Sequence, residues 1–245
     1  MKNIDSVEWL EKDRELINNK KFLNLIYKDF YTKLKSEKLT KPIVEIGSGA
    51  GFIKKIIPGV ITTDVVSTDD IDVKAFAEKL PFKSKSIGSI VMVNVFHHIK
   101  EPAIALREFE RILIPNGKIV MIEPWATTFS KFIYKNFHHE NFDEKSNWKI
   151  IGKGRMSDAN GALPWIIFSR DRSRFSKMFP NLKIISIKPH TPFKYLVSGG
   201  LSKPQLFPTS FYSMLDKLEK FLLPLNKYFA MFATTVIVKT TSVRK

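Results

Sequence analysis

Residues 42–52 read Pro42-Ile43-Val44-Glu45-Ile46-Gly47-Ser48-Gly49-Ala50-Gly51-Phe52. A short apolar run ends in glycines at alternate positions, and Phe52-Ile53-Lys54-Lys55-Ile56-Ile57 follows with helical spacing. A strand that turns through glycines into a helix exposes backbone amides at a positive helix end. Glycine there lets a ligand lie against the main chain where a side chain would block it. Asp64 closes the next apolar run, 60–63. A carboxylate about 20 residues past the first glycine is placed to accept hydrogen bonds from ribose hydroxyls. The dinucleotide fingerprint needs a further Gly or Ala three residues after its second glycine. That position holds Phe52, so the pattern is Glu45-x-Gly47-x-Gly49-x-Gly51. For the glycines alone, an ordinary turn after a strand is a serious rival.

Outward from this stretch, residues 42–124 alternate strand and helix, the pattern of a parallel, doubly wound sheet. Strands are expected over 43–46, 60–64, 71–73, 87–95 and 118–123, with helices over 52–57 and 103–113. Ile114-Pro115-Asn116-Gly117 gives a stop and a turn before the fifth strand. Ahead of the sheet, apolar residues from Trp9 to Leu34 recur at helical spacing, predicting one or two amphipathic helices within a helical cover over 1–40. Residues 182–188 and 232–239 read as strands six and seven, with 209–223 helical between them. The segment 125–171 carries Trp125, Phe142, Trp148, Trp165 and several glycines. It leaves the carboxyl edge of strand five, where α/β sheets open a ligand crevice, and is expected to form a lid that selects the acceptor.

Three further stretches extend the pattern: Ala77-Glu78-Lys79-Leu80-Pro81-Phe82, Asn94-Val95-Phe96-His97-His98-Ile99, and Leu106-Arg107-Glu108-Phe109 through Leu113-Ile114-Pro115-Asn116-Gly117-Lys118. With the glycine motif, in this order, they resemble the class I S-adenosylmethionine-dependent methyltransferases, particularly the type 11 group. The resemblance covers 42–124, a third of the chain. It implies an α/β, Rossmann-like, seven-stranded, mostly parallel sheet with an antiparallel last strand, in a single domain over 1–245 whose last part is 182–239. It also implies S-adenosyl-L-methionine as cofactor: Glu45, Gly47, Gly49 and Gly51 at the methionine and ribose end, Asp64 on the ribose, Ala77 and Glu78 beside the adenine, and Asn94 near the methionine. Two positions depart from it. Phe76 stands where many relatives carry an acid, which puts a carboxylate contact to the adenine in doubt. Gly88 stands where an Asp is usual, a position of mainly structural weight.

Transfer of an activated methyl group is an in-line displacement that asks mainly for positioning and exclusion of water. A general base is needed when the acceptor is a hydroxyl, and histidine suits the task. His97 and His139 are the candidate bases; Trp125, His138, Asn160 and Trp165 are candidate acceptor contacts. No metal is expected, because adjacent histidines diverge and no H-E-x-x-H spacing occurs.

Hydrophobic content of 44% and charged content of 26% suit a globular domain, and the absence of cysteine excludes disulfides and thiolate–metal sites. No signal-peptide region opens the chain and no run reaches the roughly 20 apolar residues of a membrane span, so a cytoplasmic location is the default. The formal charge of +16 is spread over scattered lysines. Codon bias explains it at least as well as function, and no RNA-binding signature accompanies it. The leading expectation is methyl transfer to an oxygen of a small molecule: a sugar, a glycan precursor, or a lipid-like or quinone acceptor. Peripheral membrane contact is compatible with the greasy stripe from Phe207 to Leu222. RNA methylation and a non-catalytic protein retaining the fold stand as alternatives, and the oligomeric state is not legible.

Overall fold

A computed structural model describes residues 7–138, 140–152, 154 and 158–241. Helices α1 (Val7–Asn19) and α2 (Lys21–Ser36) precede strands β1 (Ile43–Ile46), β2 (Ile61–Asp64), β3 (Val73–Lys74) and β4 (Ile87–Val93). Helix α3 (Pro102–Ile112), strand β5 (Leu113–Pro124) and helix α4 (Thr128–Phe137) follow. Then come α5 (Leu163–Trp165), a wide turn of helix (Ile166–Arg170), α6 (Arg172–Met178), β6 (Leu182–His190), α7 (Lys194–Ser198), α8 (Tyr212–Phe221), α9 (Asn226–Phe229) and β7 (Phe232–Lys239). The strands form one seven-stranded sheet in the order β3-β2-β1-β4-β5-β7-β6. Strands β1 to β5 pair in parallel, and β7 runs antiparallel to both its neighbours. This is the doubly wound sheet expected from the sequence.

Every residue of β1 and β4 is buried, as central strands covered on both faces require, and Glu45 and Ser89 are polar exceptions within otherwise apolar runs. The turn over 114–117 appears as a jump in register: Ile87 pairs with Leu113 but Ser89 pairs with Lys118. Asn116 absorbs it at φ 62°. Gly88 also has a local cause. A Cβ there would lie 2.6 Å from the Lys41 carbonyl, and its amide donates to Pro42 O at 2.8 Å. Its departure from the family pattern is therefore a matter of packing and gives no support to lost catalysis.

Two expectations are corrected. The helix after the glycines is a single 3-10 turn, Ile53–Lys55, because Pro58 and Gly59 (φ 79°) stop it at once. The cover over 125–171 is also not uniform. Leu163, Ile166, Ile167 and Phe168 are fully buried, and Trp148 is fixed by donating from Nε1 to Asp171 Oδ2 at 2.8 Å. Residues 163–168 pack into the core, and among the described residues of the segment Ile133, Tyr134, Phe137, His138, Glu140, Asn141, Phe142 and Gly161 line the cavity described below.

His190, at the end of β6, is buried among Phe30, Thr191 and Thr234, with ring nitrogens 2.8 and 2.9 Å from the two hydroxyls. Burial, aided by Lys33, pushes it down to about 3 from the ordinary value near 6.5. The unfolded chain therefore binds a proton below pH 6.5 that the folded chain refuses. Stability should fall by up to about 1.4 kcal/mol per pH unit as pH drops from 6.5 towards 3. Denaturant titrations of the wild type and of His190→Gln across this window check it; equal acid slopes in the two would refute the assignment.

Candidate active site

A cavity of about 1040 Å³ opens at the carboxyl ends of the parallel strands. Ligand pockets typically run from about 300 to 1,000 Å³, so this one has room for a nucleoside cofactor and an acceptor together. Its floor is the glycine loop, its roof is α1 through Leu10, Asp13 and Ile17, and its far wall combines α4 with residues 195–206.

In the floor, Gly47 and Gly49 take φ of 66° and 45°, in the left-handed region that favours glycine. Gly51 is needed for a different reason: a Cβ there would collide with the Tyr31 hydroxyl. The loop spends several amides on itself. Ser48 N donates to Thr63 O (2.9 Å), Gly51 N to Ser48 O (2.8 Å) and Gly49 N to Asp64 Oδ2 (2.9 Å). Asp64 Oδ1 accepts from Val66 N at 2.9 Å. A carboxylate has about four acceptor sites, so Asp64 keeps capacity for hydroxyl donors. Arg14 fastens the roof to this floor, pairing with Asp70 at 2.9 Å and donating to Gly49 O at 3.3 Å.

Beside the loop, Glu45 Oε2, Ser48 Oγ and Asn94 Oδ1 are buried with no hydrogen-bond partner among the described residues. Burial pushes the Glu45 carboxyl up to about 8. Asn94 sits at φ 57° and lines the cavity together with Tyr27. Phe76, 63% exposed, and Ala77 form the next part of the wall.

Across the cavity lies a histidine–carboxylate cluster. His97 Nδ1 is 2.6 Å from Glu123 Oε2, while Glu123 Oε1 accepts the Val95 and Phe96 amides, each at 2.8 Å. His97 Nε2 faces Glu140 Oε2 at 3.4 Å, and His98 Nε2 faces Glu140 Oε1 at 3.7 Å. His138 Nδ1 accepts the Glu140 amide at 3.2 Å. Burial opposes charge on His97, but Glu123 and Glu140 outweigh it and push the imidazole up to about 10. The histidines hold Glu140 well below the usual carboxylate range against the opposing effect of its own burial.

Residues 44–121 match the family described as a methyltransferase domain. That stretch, about a third of the chain, carries the methyltransferase domain, and with it the likeness to class I, S-adenosylmethionine-dependent enzymes. A 67-residue stretch is 31% identical to "Probable polyketide synthase 10" of Dictyostelium discoideum; it covers 27% of this chain and spans only 3% of that relative's length. Solved structures share the fold at low identity. One is a Haloferax volcanii complex of the Trm112 methyltransferase activator with a presumed methyltransferase (TM-score 0.57, 14% identity, 99% of both chains). Another is a possible histamine N-methyltransferase of Thermotoga maritima (TM-score 0.56, 15% identity, 94% of this chain and 99% of that one).

The methyltransferase's cofactor fits the residues present. S-adenosylmethionine carries an ammonium, ribose hydroxyls and a flat adenine. The empty acceptors on Glu45 and Asn94, the Asp64 carboxylate and the exposed Phe76 face offer a partner to each. All eight positions expected to meet cofactor line this one cavity.

The acceptor side departs from expectation. His138 lines the cavity, whereas Trp125, Asn160 and Trp165 do not. Asn160 is a loop staple: Oδ1 accepts from Asp143 N and Ala162 N, and Nδ2 donates to Asp143 O. Trp125 is buried at the end of β5, with its carbonyl taken by Ser130 Oγ, and Trp165 packs against the core. His97 is corrected as a base, since an imidazole already protonated at neutral pH has no lone pair to offer. His139 lies outside the described residues. The expected divergence of the adjacent histidines is also overturned: the 3-10 turn Phe96–His98 brings the rings of His97 and His98 to 4.1 Å, both towards Glu140. Sequence reasoning missed Glu123 and Glu140. The signal for Glu123 was its place at the carboxyl end of β5, beside the β4 end that launches His97.

Proposed function

We propose that this protein methylates an oxygen of an amphipathic, lipid-like acceptor that it meets at an anionic membrane surface. The observation that carries the reading is that the acceptor half of the cavity opens onto an exposed face that is both apolar and basic. Leu206 and Phe137 belong to both cavity wall and surface, at 65% and 58% exposure. Phe132 adjoins Phe137 with ring centroids 5.9 Å apart, and Phe211, Met214, Leu218 and Phe221 along the α8 stretch are also exposed, the last at 81%. Helices α4 and α9 are joined beneath it by Phe129, Phe193 and Phe229, with ring centroids about 6 Å apart.

Charge complementarity selects the occupant. Asp216 and Glu219 are the only acidic residues after Asp171, and both turn onto Lys194 at 2.6 and 3.5 Å. Asp216 pairs with Lys220 as well, at 2.8 Å, so the outer surface is left with Lys203, Lys217 and Lys227 among its apolar side chains. A helix with one apolar and lysine-rich face lies in a membrane interface and favours anionic lipid. Among the described residues no helix is long and apolar enough to cross a membrane.

When bound, the cofactor would supply an activated methyl group on a sulfonium, the sulfur keeping the electron pair of the broken carbon–sulfur bond and the acceptor hydroxyl giving its proton to solvent. The chain's own part is to hold and enclose. Tyr134, fixed by donating to Met231 O at 2.8 Å and stacked on Phe142 at 4.8 Å, makes a rigid aromatic wall, while α1 roofs the opposite side against water.

Flotation with vesicles tests the reading. The protein should bind phosphatidylcholine vesicles containing about a third phosphatidylglycerol, less so in high salt, and bind pure phosphatidylcholine weakly. Phe211→Ser/Phe221→Ser should bind the anionic vesicles about tenfold more weakly while keeping its affinity for S-adenosylhomocysteine. No vesicle binding, with self-association or salt-sensitive RNA retention in its place, overturns the proposal.

A further inference from the structure

We infer that His97, His98 and Glu140 form a binding site for one divalent transition-metal ion at the acceptor side of the cavity. Each offers one ligand atom, and the three atoms lie within 4.8 Å of one another. Ligands held about 2.1 Å from an ion at tetrahedral angles stand about 3.4 Å apart. The histidine–carboxylate separations, 3.4 Å from His97 to Oε2 and 3.7 Å from His98 to Oε1, come close to that spacing, and small side-chain rotations bring the whole set to it.

The surroundings match as well. A metal-binding histidine characteristically gives its other ring nitrogen to a carboxylate, which fixes ring orientation and raises ligand basicity. Glu123 does this for His97 at 2.6 Å and is itself held by the Val95 and Phe96 amides, so Nε2 is aimed at Glu140 with little freedom. Asn160 N donates to His97 O at 3.0 Å and clamps the insertion onto the histidine turn. Glu140 is thereby kept within reach. His138 gives Nδ1 to the Glu140 amide and stands beside the ligand set.

Two imidazoles and one carboxylate suit a zinc-like divalent ion and leave coordination positions open on the cavity side. His97, His98 and Glu140 all line the cavity, so an open position faces an entering acceptor. The ion takes the place that a proton on Nε2 holds without it. Its chemistry there is Lewis-acid activation of an acceptor hydroxyl: the oxygen binds the ion, and its proton passes to solvent as the ion lowers its pKa. The role in activating an oxygen rests on the function proposed above; the binding of the ion does not.

The test uses tag-free, EDTA-treated protein titrated with Co2+, read by visible absorption, and with Zn2+, read by calorimetry. The wild type should take up one equivalent, with Co2+ bands of a four- or five-coordinate site. His98→Ala and Glu140→Gln should lose uptake at least tenfold, and Glu123→Gln should weaken it about 10- to 100-fold through orientation alone. Affinity for S-adenosylhomocysteine, measured on each variant, reports that the fold and the cofactor side are intact. No uptake by a wild type that binds S-adenosylhomocysteine overturns the metal site and leaves the cofactor reading standing. Uptake unchanged in His98→Ala and Glu140→Gln overturns it equally, because the ion then lies elsewhere. Metal uptake without S-adenosylhomocysteine binding would sink the cofactor reading alone.

Discussion

Lys194→Met is expected to lower the stability of the fold by about 3–5 kcal/mol, the cost of removing one partner from a buried ionic group. The ammonium is buried at the start of α7, 2.6 Å from Asp216, 3.4 Å from Asp29 and 3.5 Å from Glu219. Burial alone would drive its proton off, but Glu219, Asp216 and Asp29 outweigh burial and keep it charged. Without it, three carboxylates face one another, two of them on α8. Glu219 still accepts the Phe193 and Lys194 amides at 2.9 and 2.7 Å, so it cannot turn to water without stranding both. Urea denaturation should show a lower midpoint with an unchanged slope. Adding Asp216→Asn and Glu219→Gln to Lys194→Met should recover part of the loss, because the repulsion is then gone. A single-variant loss below about 1 kcal/mol would show that water reaches the group and that the cluster is not a buried one.

This cluster marks where sequence reading stops. Four alternating Glu/Gly positions in β1 and the loop, the run over 87–93, and the strand over 232–239 announced themselves because period and punctuation are local properties. The sheet order follows from them with few alternatives. Lys194, Asp29 and Asp216 come from three distant segments, and each alone reads as an ordinary surface charge. Only folding shows that they share one buried point. The same holds for Glu123 and Glu140, drawn to the His97 turn by the alignment of β4 with β5 and by the clamp through Asn160.

Errors of the opposite kind came from reading composition as position. The aromatic density over 125–171 suggested a lid, yet Trp148 and Phe168 are buried away from the cavity. Aromatic residues serve a core as readily as a ligand, and sequence spacing in an irregular segment cannot tell the two apart. The glycine loop shows the converse: φ at Gly47 and Gly49 lies in the left-handed region that favours glycine, so that backbone constraint leaves its mark in the residue types themselves.

The remaining large effect concerns the cofactor pocket. S-adenosylhomocysteine should bind Asp64→Ala about 1.5–3 kcal/mol more weakly, roughly 10- to 100-fold, through loss of charge-assisted hydrogen bonds to the ribose. The change also frees Gly49 N and Val66 N, now tied to the same carboxylate, so a loosened loop adds to the loss. Glu45 should shape the pH dependence. Its carboxyl titrates at about 8 in the empty pocket because it is buried, so near neutrality it holds a proton. The ligand's ammonium favours the carboxylate form, and binding therefore expels that proton. Affinity should rise with pH from 6 to 8, by up to tenfold per unit, and level off above the Glu45 value. Calorimetry in two buffers of different ionisation enthalpy should show release of close to one proton at pH 7. Glu45→Gln should bind weakly at every pH and release none. If the wild type binds with equal affinity at pH 6 and 8 and no proton appears, Glu45 does not face the ammonium. The orphaned Oε2 would then answer to the acceptor instead.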